Sequence, residues 1–186
     1  MSTASVAGAA KSVATKSSPS KTVYLFRNIQ TSQVLVSLKN TVEKQSLKQI
    51  TDETRRPAHV RHDHWHPLVA IQGFPRHQDA LAFHNSLRDH QLNLHATKIA
   101  DEKHMLQPRR LRAPQEMNQV DGTLIKMVEL LNEQPQIKAN KGEGIQILWE
   151  REGIRKQILE KDGITLPEGI KHGDLSIKRG RDIVNA

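Results

Sequence analysis

Residues 22–38, TVYLFRNIQTSQVLVSL, constrain the fold of this chain more than any other stretch. Val23, Tyr24, Leu25 and Phe26 form one run of β-branched and aromatic residues. Val34, Leu35, Val36 and Leu38 form a second, and the polar residues 30–33 separate the two. Two such runs a few residues apart specify an antiparallel hairpin. Neither run alternates apolar with polar, as a hairpin with one wet face does, so both faces are expected to be covered.

The rest of the chain supplies a core of moderate size to do the covering. Only 36% of the 186 residues are hydrophobic, and the aromatics number two Trp, one Tyr and three Phe. That composition suits one domain with tails, part of which depends on a partner for order. The expected division is a basic leader at 1–21, an α+β domain at 22–160 and a basic C-terminal extension at 161–186. In the domain, helices pack on a small mixed sheet that starts with the N-terminal β-hairpin, and the tails are disordered or ordered by RNA.

Beyond the hairpin, Asn40 and Glu43 have the spacing of a capping box opening a short helix at 41–50, with Leu47 and Ile50 buried. Residues 51–67 lack apolar periodicity and are expected to form a surface loop. Residues 68–71 follow as a buried strand, ended by Gly73, with Pro75 in the first turn of the next helix. That helix carries Ala80, Phe83, His84 and Leu87 on one face. Leu92, Leu94 and Ala96 alternate with polar residues, which reads as a further strand. Residues 101–115 read as a second basic loop. Met117, Val120, Leu124, Met127 and Leu131 mark the clearest helical stripe, weakened by about 1 kcal/mol at Gly122. Residues 145–149 form a strand and 150–160 a helix. The last stretch is too polar and Gly-rich to pack alone.

Charge narrows the function. Twenty-eight Lys and Arg against 20 acids give a formal net charge of +8, which favours nucleic acid or an anionic surface as partner. No apolar run approaches the roughly 20 residues a membrane helix needs, so no membrane insertion is expected. The absence of cysteine excludes disulfides, thiolate zinc sites and a cysteine nucleophile. The first 21 residues hold no acid and are rich in Ser, Ala and Lys. They fit either a mitochondrial transit segment or a basic arm.

Candidate site residues fall in three basic clusters. Arg55, Arg56 and Arg61 lie in the first loop; Arg109, Arg110 and Arg112 lie in the second; Lys178, Arg179 and Arg181 lie in the tail. Arginine presents a planar fork that pairs bidentately with phosphate. His62 and His64 stand beside the first cluster and join the expected RNA-binding set. With His59 and His66 they also offer a His-x-His pair to a metal, but the spacing matches no structural zinc pattern, so no metal or other cofactor is expected. Trp65 stacks on a base or, the favoured reading for a lone Trp, buries against the neighbouring strand. No nucleophile-elbow, zincin, Walker or dinucleotide motif is present, and no catalytic residue is expected. Hairpin and helix are similar in outline to the start of a GIY-YIG nuclease. They lack its glycines, its second tyrosine and an arginine in the following helix.

Four segments in order carry a resemblance: VYLFRNIQTSQVLVS, WHPLVAI entering a helix, LRAPQEMNQV leading into the striped helix, and ILWE after a polar loop. Together they resemble the fungal mitochondrial homologous recombination protein family, over roughly residues 22–150. Tyr24, Phe26, Arg27 and Asn28, with Gln33, Val34 and Leu35 and the Trp149-Glu150 pair, are its strongest marks. The resemblance implies a mitochondrial matrix protein that is a structural constituent of the mitochondrial large ribosomal subunit. Its partners would be large-subunit ribosomal RNA and neighbouring ribosomal proteins. The alternative it implies is a mitochondrial DNA-binding protein in homologous recombination and transcription regulation. It brings no catalytic residues.

Overall fold

The hairpin forms as its two apolar runs require. In the computed structural model, which describes residues 21–50, 53, 56–134, 137, 142–160 and 165–175, β1 (Val23–Asn28) pairs antiparallel with β2 (Val34–Ser37). On its other side β1 pairs antiparallel with β3 (Trp65–Gln72), with a register shift between Leu25 and Phe26. β4 (Gln146–Trp149) adds antiparallel to β3, and β5 (Lys171–Asp174) adds parallel to β4. The result is a five-stranded mixed sheet in the order β2-β1-β3-β4-β5. The helices are α1 (His77–Ala100), α2 (Glu102–Met105), α3 (Arg109–Met117), α4 (Val120–Glu133) and α5 (Glu152–Leu159). The fold is α+β, as expected.

Successive strand residues point to opposite faces, and here each face has its own core. Val23 and Leu25 join Val34, Val36, Leu68, Ile71, Ile147 and Trp149 beneath Phe83 and Leu87 of α1 and Leu124, Met127 and Leu131 of α4. Tyr24, Phe26 and Leu35 face a smaller cluster of Val42, Leu47, Ile50 and Trp65 on the other side. Each such fully buried side chain contributes roughly 1.5–3 kcal/mol, so the doubly apolar pattern is spent on two layers.

Three glutamines cap the outer edge of β2. Gln119 Oε1 accepts from Val34 N–H (3.1 Å), and Gln91 Nε2 donates to Val34 C=O (3.3 Å). Gln49 serves both backbone groups of Val36, at 2.9 and 2.7 Å. An edge strand with its hydrogen-bonding groups occupied offers no template to another chain.

Several local expectations are corrected. Residues 41–50 hold a 3-10 turn at Lys44–Gln49 rather than an α-helix, and neither Asn40 nor Glu43 makes a side-chain cap bond; Glu43 pairs with Lys39 instead. β3 begins at Trp65, three residues before the expected strand, because Trp65 is buried in the smaller core. Pro75 precedes α1, whose N-cap is Arg76. The strand expected at 92–99 is the second half of α1, and the loop expected at 101–115 is α2 and α3, with Pro114 inside α3. The striped helix breaks at Asn118 and Gln119. The polar C-terminal stretch does not pack alone: Lys171–Asp174 adds to the edge of β4, beside buried Ile170.

Candidate nucleic-acid interface

One end of the sheet gathers the basic segments. Asn28 closes the hairpin turn by accepting, through Oδ1, from the N–H groups of Gln30 (2.9 Å) and Thr31 (3.2 Å). The turn then bonds outward in two directions. Ile29 N–H donates to His64 C=O at 2.9 Å, tying down the loop that precedes β3. Ser32 C=O accepts from Gln119 N–H at 3.1 Å, tying down the junction of α3 and α4. The first basic segment is therefore bonded directly to the turn, and the second is tied to it through the junction that follows α3.

From that end a helical arm projects. α1 is 24 residues long, about 36 Å at the usual helical rise, while the eight residues of β3 span about 26 Å. The last buried residue of α1 is Gln91, at the start of β2. The remainder of α1 overhangs the sheet, and α2 and α3 fold back along it. Lys98 Nζ donates to Gln115 C=O (2.7 Å) and Asn118 C=O (3.4 Å), fixing α3 to α1. Burial pushes the Lys98 ammonium pKa down, partly offset by Glu116. His104 Nε2 and Glu116 Oε1 share a buried hydrogen bond of 3.1 Å, and Arg112 lies 3.6 Å from the same oxygen.

The candidate arginines divide by what they already hold. Arg56 donates through Nε and Nη2 to Ile50 C=O at 3.1 and 2.8 Å, so it closes its own loop. Arg112 braces α2 against α3, and the His64 side chain is mostly covered, 3.6 Å from Asp63. The Arg61 side chain is 66% exposed with one loose contact to Asp63 at 3.6 Å, and His62 is exposed. Arg109 and Arg110 are exposed in the first turn of α3, a turn with no acid, and have no ion pair among the described residues. Two cations at the positive end of a helix concentrate positive potential there. Arg55, Lys178, Arg179 and Arg181, like residues 1–20, lie outside the described residues. Among the described residues, no three His, Asp or Glu side chains are grouped to hold a metal.

Two arrangements were not legible beforehand. Arg27 on β1 meets Glu150 after β4: Nη2 donates to Oε1 at 3.3 Å and Nε lies 3.1 Å from Oε2. His66 on β3, between them, lies 4.0 Å from Glu150. Arg27 and Glu150, both marks of the family resemblance, thus join β1 to the end of β4 across β3. Trp149 Nε1 donates to His172 Nδ1 at 3.2 Å, beside a cavity of about 240 Å³ lined also by Glu152, Arg155 and Asp174. Burial, then Arg155, lowers the His172 pKa, consistent with a neutral ring accepting that bond.

Comparison with known proteins follows the same segments. A family model described as "Transcriptional regulation of mitochondrial recombination" matches residues 20–102, which span β1 through α1. The "Large ribosomal subunit protein mL67" of Schizosaccharomyces pombe is 41% identical over 63 residues, 30% of this chain and 35% of that protein. The chain thus matches about a third of the length of that curated relative. Residues 20–102 are thus similar to the mitochondrial recombination family model, in line with the resemblance drawn from the hairpin onward. The description of the family model names mitochondrial recombination, and neither description names a catalytic activity.

Proposed function

We propose that the chain is a mitochondrial DNA-binding protein acting in homologous recombination and transcription regulation. It meets phosphate through Arg61, His62, Arg109 and Arg110. The observation that carries this reading is that one hairpin turn bonds the first basic segment directly and the second through the α3–α4 junction, inside and just beyond the stretch matched by the recombination family model. Four basic side chains that fold maintenance leave exposed are suited to phosphate, and none is placed to read a base edge. The binding is therefore electrostatic and largely independent of sequence.

A second reading is supported by the ribosomal relative: a structural constituent of the mitochondrial large subunit, bound to ribosomal RNA by the same side chains. Phosphate contacts suit either nucleic acid. Purified protein should bind duplex DNA at moderate salt and pair homologous strands. In a mitochondrial lysate on a sucrose gradient, it should leave the nucleic-acid fractions on deoxyribonuclease treatment. Migration with the large-subunit peak that is lost only with ribonuclease, together with no strand pairing, would replace the first reading by the second.

A further inference from the structure

We infer that the tip of the helical arm is an apolar wedge that enters a base step of duplex DNA. Leu106 is the inserting side chain, and Arg109 and Arg110 hold the flanking phosphates. This rests on the nucleic-acid reading above and adds how the duplex is engaged. Leu106 is 85% exposed, the highest of any large apolar side chain among the described residues. It caps the C-terminus of α2, where its N–H is fixed on Glu102 C=O at 3.0 Å. Behind it the buried His104–Glu116 bond and the Arg112 contacts with Glu116 and Met105 tie α2 to α3. The backbone that carries the side chain is therefore braced, so insertion orders little beyond the leucine itself.

The chemistry around it selects the occupant. Three and four residues along the chain, Arg109 and Arg110 are exposed and without an ion pair among the described residues. Leu111, 53% exposed, and Met105 extend the apolar surface beside them. An apolar point flanked by unneutralised cations complements a base step, whose apolar faces lie between two rows of phosphate. Proteins that insert an apolar wedge unstack the step and kink the duplex.

The test uses the full chain and DNA duplexes with 2-aminopurine scanned along one strand, whose fluorescence rises on unstacking. Wild type should raise it several-fold at saturation, Leu106→Phe should retain the rise, and Leu106→Ala should abolish most of it while still binding. Binding without any rise, or an undiminished rise with Leu106→Ala, overturns the wedge and leaves the nucleic-acid reading standing. No binding of wild type to DNA at moderate salt overturns both. A rise with an RNA duplex but not with DNA overturns the assigned ligand. A change in sedimentation of the DNA-free protein on Leu106→Ala assigns the side chain to a protein interface and overturns the wedge.

Discussion

The sheet and the arm are built from similar residues and use them in opposite ways. In the sheet nearly every apolar side chain has a core to face, Arg27 is engaged across the strands, and Gln49, Gln91 and Gln119 occupy the edge of β2. In the arm Leu92, Ile99, Met105, Leu106 and Leu111 stand exposed, and Arg109 and Arg110 hold nothing among the described residues. Stability is thus concentrated in one region and binding potential in the other. Substitutions in each should move different observables.

The largest expected effect is at the turn that follows β3. Gly73 has φ +91°, and a Cβ there would lie 1.9 Å from Gly144 C=O. Gly73→Ala combines left-handed strain with a backbone collision, and should lower stability by about 3 kcal/mol or more in urea unfolding. A loss below about 1 kcal/mol would mean that the sheet is not the rigid half of the comparison. Next is the cross-sheet pair. Arg27→Ala leaves a half-buried Glu150 without its main partner, and should lose about 2 kcal/mol. Glu150→Gln should lose less, and the double variant less than the sum of the two. Additive losses would show that the two side chains do not act together.

A smaller effect comes from pH. The His172 pKa is held below its ordinary value of 6.5 by burial, then by Arg155; that of His90 is lowered by burial, then by Lys126. The unfolded chain therefore takes up these protons before the folded chain does. The stability from neutral rings is full above about pH 6.5 and declines as pH falls toward the folded values. Urea midpoints at pH 7.5 and 5.5 should differ less for His172→Gln than for wild type. An equal difference would remove His172 from the account.

The same contrast explains what the sequence could reveal. Strand pairing was legible at the hairpin because apolar runs on two faces demand two cores. Helical periodicity was legible at Ala80, Phe83 and Leu87, which face a core, and faded beyond them, where Leu92 and Ala96 are exposed and Leu94 is half-buried against Gly122 of α4. A helix without a core to face has no reason to keep a 3.6-residue stripe, so its alternation passed for a strand. Pro108 and Pro114 disguised α3 as a loop, although a proline preceding the first turn is well tolerated. Arginine type alone could not separate Arg56 and Arg112, which serve the fold, from Arg61, Arg109 and Arg110. That division depends on carbonyls and carboxylates brought close only by folding. Arg27 and Glu150 are 123 residues apart, a distance over which spacing carries no signal.

The most direct test of the account is the salt dependence of DNA binding by Arg109→Ala/Arg110→Ala, measured by fluorescence anisotropy from low to moderate ionic strength. Two lost phosphate contacts should reduce the slope of log K against log salt by about 1.8. The urea midpoint should stay within the equivalent of about 0.5 kcal/mol of wild type. An unchanged slope, or a loss of stability matching the loss of affinity, would contradict the assignment of the arm to binding and the sheet to stability.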